Sequence, residues 1–209
     1  MEVKSTVVSV CGTNSYMLWG DDFAVLIDVG EIDNTLIDFA YKHLNKPNKA
    51  ILLTHCHFDH IGGVEKIKAL WDCDIIIGKN DAEGLMRPEI NLSGLWSDKS
   101  ISIKPDKTVS DNEEFQIGSA RFRVIETAGH TKGSVVYITE TLLFSGDTLF
   151  KGSVGRYDLP TSDYKSLMAS IEKLYKLDGD FTVLSGHGPQ TTLERERRTN
   201  PYMANYGDI

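Results

Sequence analysis

Three of the chain's six histidines fall within six consecutive positions: His55, His57 and His60 of HCHFDH, with Asp59 beside the last. On an extended segment residues i and i+2 point the same way, so His55 and His57 can reach a common ion while Cys56 faces the opposite side. The chain then turns, and Asp59 and His60 add a carboxylate and an imidazole nearby. Such donors suit zinc or a similar first-row ion. Histidine is a poor helix former and an awkward core residue, and no packing rule asks for this cluster. Metal chemistry does.

Further ligands must come from elsewhere. His130 sits in VIETAGHTKGS, Asp147 in LLFSGDTLF and His187 in FTVLSGHGPQ, each just after an apolar run of strand length, as the cluster itself follows AILLT. Ligands at the ends of strands can converge on one edge of a sheet system. Taken singly, each also has a bland reading: a hydrogen-bonded structural histidine, or an aspartate that forms a turn. The cluster makes the isolated signals reinforce one another. Asp28, ending FAVLID, reads equally as an acceptor behind a ligand histidine or as a turn residue. His43, in AYKHLNK, reads as an exposed helix residue.

The elements that would position these residues are legible as short β-branched runs. FAVLIDVG, AILLT, DIIIG, FRVIET, SVVYI, LLFSG and FTVLSG are all of strand length and end in Gly, Asp or Ser punctuation. YKSLMASIEKLYKL places Tyr164, Leu167, Met168, Ile171, Leu174 and Tyr175 on one helical face, with Ser162 or Asp163 as N-cap. NTLIDFAYKHL and GGVEKIKALW have weaker helical spacing, and the glycine pair Gly62–Gly63 suits a tight turn into the second of them. Strands and helices alternate unevenly, which predicts an α/β layered fold with mixed sheets. No repeat or linker is visible, so residues 1–209 are expected to form one domain, with a long surface loop from about Arg87 to Asp111.

Composition narrows the function classes. A net charge of −8 and the lack of a basic stripe argue against nucleic acid and against an anionic membrane as partners. The densest basic run, ERERR at 194–198, is interleaved with glutamates and reads as a solvated helix face. No apolar run spans a bilayer and no signal-peptide core is present. Cys11, Cys56 and Cys73 are odd in number and scattered, which predicts reduced thiols in a cytoplasmic protein.

In order, HCHFDH, GHTKGS, SGDTLF and GHG resemble the motifs of the metallo-β-lactamase fold superfamily over nearly the whole chain. The resemblance implies an αββα sandwich, two mixed β-sheets face to face with helices outside. Within the superfamily, GDTLFKGSVGRYDLP and the terminal ERRTNPY resemble the glyoxalase II group, the hydroxyacylglutathione hydrolases and their shorter bacterial relatives. That likeness implies two divalent ions, most simply Zn2+, with Fe or Mn as options. His55, His57 and His130 would hold one and Asp59, His60 and His187 the other, with Asp147 bridging. It also implies hydrolysis of a small-molecule thioester by a hydroxide shared between the ions, with Asp59 and Asp147 as the catalytic carboxylates.

Two departures from that group matter. Only 22 residues follow His187, so the C-terminal helical domain that helps bind glutathione is not expected. Arg156 matches a basic substrate-binding position, but Asp158 stands where the group has tyrosine, so Arg156 reads either as a substrate contact or as a scaffold arginine paired with Asp158. The strongest rival is a mononuclear iron persulfide dioxygenase of the same fold, which also keeps a G-R-x-D segment like the GRYD here.

Overall fold

The structure, a computed structural model, describes residues 1–206; the last three positions of the expected domain lie outside the described residues. The first sheet takes β1 (Glu2–Val8), β2 (Thr13–Trp19), β3 (Phe23–Ile27), β4 (Asn48–Leu53), β5 (Asp74–Gly78) and β6 (Lys107–Val109) in sequence order. Its first three strands pair antiparallel and the rest parallel. The second sheet contains β7 (Glu114–Ile117), β8 (Ala120–Glu126), β9 (Val135–Thr139) and β10 (Leu142–Gly146). A small hairpin, β11 (Leu149–Phe150) with β12 (Ser153–Val154), leads to β13 (Thr182–Ser185) and β14 (Thr191–Thr192), which complete the second sheet in the order β14-β13-β10-β9-β8-β7. Both sheets are mixed, because β10 and β13 run parallel.

Side-chain alternation assigns the layers. Along β4, Ala50 and Leu52 face the second sheet, while Ile51 and Leu53 face helices on the other side. The inter-sheet core joins Val25, Ile27 and Leu52 to Phe122, Val124, Tyr137 and Phe144. Outside the first sheet lie α1 (Asn34–Lys42), the single turn α2 (Phe58–Ile61) and α3 (Val64–Trp71); Leu36, Ile67 and Trp71 cover Ile51, Leu53 and Ile75. Two single turns follow, α4 (Ala82–Leu85) and α5 (Ser93–Trp96). Outside the second sheet, α6 (Tyr164–Tyr175) presses Leu167, Ile171 and Leu174 onto Ile125, Val136 and Leu143, joined by Leu193 of α7 (Leu193–Thr199). The four layers are those of the αββα sandwich. Each fully buried Leu, Ile or Phe contributes about 1.5–3 kcal/mol, so three continuous apolar contacts account for a rigid frame.

The α6 prediction holds, with Asp163 as N-cap accepting from the Ser166 amide; Tyr164, however, is largely exposed. Three readings need correction. His43 is not an exposed helix residue: it caps α1, is 5% exposed and packs against Phe39 and Trp19. The ERERR run is not wholly solvated, because Glu196 is fully buried. There it accepts from Thr191 Oγ1, the Gly152 amide and Asn200 Nδ2, fastening the β11–β12 hairpin. The 87–111 segment contains α5 and β6, and buried Asn91 ties it down through the Leu85 and Ile101 carbonyls. The Gly62–Gly63 turn into α3 is present as expected, with right-handed torsions at both glycines. Glycine is needed at Gly62 for close approach, since a Cβ would sit 2.3 Å from the Gly30 carbonyl oxygen.

Candidate metal centre

The loops after β4, β8, β10 and β13 meet at one end of the sandwich. They bring His55, His57, Asp59, His60, His130, Asp147 and His187 together, seven residues from four separate stretches. Cys56, between the first two, turns into the core beneath α3 and α4. One set of ligand atoms comes from His55, His57 and His130, and a second from Asp59, His60 and His187; within each, all atoms lie within 4.8 Å of one another.

Hydrogen bonds on the far side of the rings fix which nitrogen is free. His60 Nδ1 donates to Asp28 Oδ2 at 2.8 Å, leaving its Nε2 facing inward. Asp28 also accepts from the Thr54 amide at 2.8 Å and from Thr54 Oγ1 at 2.7 Å. Asp28, His55 and His60 lie close enough to form a third donor set. Those three accepted bonds occupy the Asp28 carboxylate, so it serves as an acceptor behind His60. Its left-handed φ of 55°, uncommon outside glycine, aims it there. Because the Thr54 hydroxyl donates to Asp28, its lone pair accepts from His55 Nδ1 at 3.1 Å. His130 Nδ1 donates to the Arg156 carbonyl at 2.9 Å.

The inward atoms are crowded in a way hydrogen bonding does not explain. His57 Nδ1 lies 2.9 Å from His130 Nε2, and His60 Nε2 lies 3.4 Å from His187 Nε2. His55 Nε2 and Asp147 Oδ1 are buried without a hydrogen-bond partner among the described residues. Donors about 2.0–2.1 Å from a tetrahedral ion stand roughly 3.3 Å apart, close to several of these spacings. Asp147 faces both sets: Oδ2 is 3.5 Å from His130 Nε2 and 3.4 Å from His187 Nε2, while Oδ1 is 3.4 Å from His60 Nε2. Gly186 leaves the room, since a Cβ there would lie 2.1 Å from Asp147 Oδ1. The residues fit a pair of divalent ions.

Electrostatics separates the two sets. Burial, reinforced by neighbouring imidazoles, pushes His55 far below its ordinary pKa and His57 down to about 3, so both present neutral lone pairs. Burial also works against a charged His187, but hydrogen bonds to Asp147 and Asp59 outweigh it and raise the ring to about 10. For Asp147, burial is outweighed by His60 and His187, which hold it well below the carboxylate range. The second set therefore differs from the first in pairing its imidazoles with carboxylates, Asp59 and the shared Asp147.

Sequence reading missed three supporting groups. Thr13 Oγ1 donates to Asp59 Oδ2 at 3.1 Å. Asn14 Nδ2 donates to the Ser185 and Gly188 carbonyls on either side of His187, each at 2.9 Å. Asp81, after β5, receives three bonds from the ligand loops. Only Asp81 carried a signal, its place just beyond a strand end. Arg156 is near the centre through its carbonyl, whereas its exposed guanidinium forms a two-pronged pair with Asp158 at 2.9 and 3.0 Å and lies 5.9 Å from the Trp96 ring centroid.

Comparison with known proteins agrees with this geometry. The chain is 35% identical over 207 residues to a Bacillus subtilis protein, the probable metallo-hydrolase YqgX, covering 97% of this chain and 98% of that one. It is 30% identical over 210 residues to the Haemophilus influenzae hydroxyacylglutathione hydrolase GloC, covering 97% and 98%. Among solved structures, the BLEG-1 B3 metallo-β-lactamase superposes with a TM-score of 0.88 at 35% identity, covering 97% of this chain and 99% of that one. TTHA1623, solved in a di-iron-bound form, superposes with a TM-score of 0.78 at 34% identity, covering 95% and 99%. The model of the Metallo-beta-lactamase superfamily matches residues 8–187, a span that begins at the end of β1 and closes on His187 itself, and the chain belongs to that superfamily.

Proposed function

We propose that this metallo-hydrolase cleaves small acyl thioesters at a two-ion centre held by His55, His57 and His130 on one side and Asp59, His60 and His187 on the other, with Asp147 between them. The observation that carries the reading is the Asp147 carboxylate, whose Oδ2 lies within 3.5 Å of imidazole nitrogens from both sets. Zinc is the ion we favour for the donor set; the di-iron form of TTHA1623 makes iron the alternative to test.

Divalent ions bound there would act as Lewis acids and bring the pKa of water from 15.7 to about 7. The chain's own residues supply orientation. Asp59 Oδ2, already accepting from Thr13, faces the centre as an acceptor for an attacking water. The tautomers fixed by Asp28, Thr54 and the Arg156 carbonyl keep imidazole lone pairs, not protons, turned inward. A thiolate leaving group, with a thiol pKa of about 8.5, does not require a strong general acid. None is evident among the described residues beside the cluster.

The name of GloC supports a hydroxyacyl thioester as substrate. Because Arg156 is engaged by Asp158, we infer weak dependence on the glutathione carboxylates. Convergence of Asp59, His60 and His187 into a second seat speaks against the single-iron dioxygenase. The free thiols, with Cys11 exposed, suit a reducing cytoplasmic setting, and no helix among the described residues is long and apolar enough to cross a membrane.

A β-lactam amide is the second reading, favoured by the likeness to BLEG-1. The test is a substrate panel with the metal-loaded protein: S-lactoylglutathione, an acetyl thioester of an uncharged thiol, and a chromogenic cephalosporin. Cleavage of both thioesters at rates within about tenfold, abolished by chelation, is expected. Turnover of the cephalosporin alone would replace thioester hydrolysis with the second reading.

A further inference from the structure

Asp81 is a buried carboxylate for which the proposed chemistry has no use. It is 2% exposed and stands just after β5, outside both ligand sets. Among the described residues no lysine or arginine pairs with it, and its oxygens are held by neutral donors. Oδ2 accepts from the Cys56 amide at 3.0 Å and from Thr131 Oγ1 at 2.7 Å, and Oδ1 accepts from the Gly133 amide at 2.7 Å. Burying a carboxylate this deeply is costly, and three donors offset the cost only if they stay in place.

Those donors have a common property. Cys56 is the residue between His55 and His57, and Thr131 follows His130 directly. Asp81 therefore ties together the two loops that carry the three-histidine set, 25 and 50 residues away along the chain. Asp59 and His60 follow Cys56 on the same loop, but among the described residues none of the hydrogen bonds of Asp81 reaches them or the groups that fix them. In the other set, His60 is fixed by Asp28, Asp59 by Thr13, and the His187 loop by Asn14.

We propose that Asp81 is a positioning residue for the three-histidine seat alone, fixing the spacing of the His55–His57 loop against the His130 loop and so setting the affinity of that seat for its ion. Asparagine is the same size but replaces one acceptor oxygen with a donor NH2, which would face either an amide N–H or the Thr131 hydroxyl. Outer partners of metal ligands typically change metal affinity by about 10–100-fold when lost.

The experiment is zinc titration of chelator-stripped protein against a chromophoric chelator, on wild type, Asp81→Asn and Thr131→Val, with thermal melts of each stripped protein. His57→Ala and His187→Ala variants identify which binding step belongs to which seat. The expected result is a step weakened by about 10–100-fold in Asp81→Asn, the same step that His57→Ala removes. The step removed by His187→Ala should stay within about threefold of wild type. Thr131→Val, which strips one donor from the same carboxylate, should shift the same step less, and keeps the question answerable should Asp81→Asn not fold. Equal weakening of both steps, or wild-type affinity in both variants, would overturn the proposal.

Discussion

The two halves of the metal centre share one carboxylate and one end of the sandwich, yet they are built differently. His55, His57 and His130 are each 3% exposed or less, whereas the His187 side chain keeps 27% of its surface in contact with solvent. Burial keeps His55 and His57 neutral in the first half, while carboxylates raise His187 in the second. The first half is thus a deep seat of neutral nitrogen donors; the second contains a carboxylate and, beside buried His60, is open to solvent at His187. A deep seat gains selectivity from donor type and geometry, and a seat open to solvent on one side exchanges its ion more easily.

The largest effect should come from removing what the halves share. Asp147→Ala is expected to lower kcat for thioester hydrolysis by at least about 10²–10³-fold, the scale seen when a group stabilising developing charge is lost, and to reduce the metal content. Wild-type turnover with full metal content would show that Asp147 does not join the halves.

A sharper comparison removes one seat at a time. His57→Ala and His187→Ala should each abolish hydrolysis and each retain one ion. The ion kept by His187→Ala, in the deep seat, should resist a chelator longer than the ion kept by His57→Ala. Equal release rates would mean that the difference in burial has no bearing on exchange.

These seven residues were legible in the sequence because each follows an apolar run, and strand ends converge once the sheets form. What holds them was less legible. Asp81 meets backbone amides and a hydroxyl brought near only by tertiary structure, so its place just beyond a strand end was the one local sign of it. Asp28 was readable to the extent that it ends a strand-like run, and its hydrogen bond to His60 selects one of the two readings it allowed. Glu196 lies in an alternating charge run that reads as solvated, yet the fold turns that one carboxylate inward to meet Asn200 and Gly152. The polar residues along β1 hid it as a strand because it is an edge strand with most of its length exposed.

Smaller effects should come from residues outside both halves. His43→Ala should leave turnover per bound ion unchanged but lower stability by about 1–3 kcal/mol, because it empties a site packed against Phe39 and Trp19; denaturant unfolding measures it. Smallest of all, Arg156→Ala should raise KM equally for S-lactoylglutathione and for an uncharged thioester, as expected of a scaffold arginine paired with Asp158. A rise confined to the glutathione substrate would assign the guanidinium to substrate binding.

The central claim is that one chain holds two ions in unlike seats. Elemental analysis of the purified protein after zinc supplementation and removal of free metal tests it most directly. The account predicts close to two ions per chain, falling to about one in both His57→Ala and His187→Ala. At most one ion per chain in the wild-type protein would contradict it.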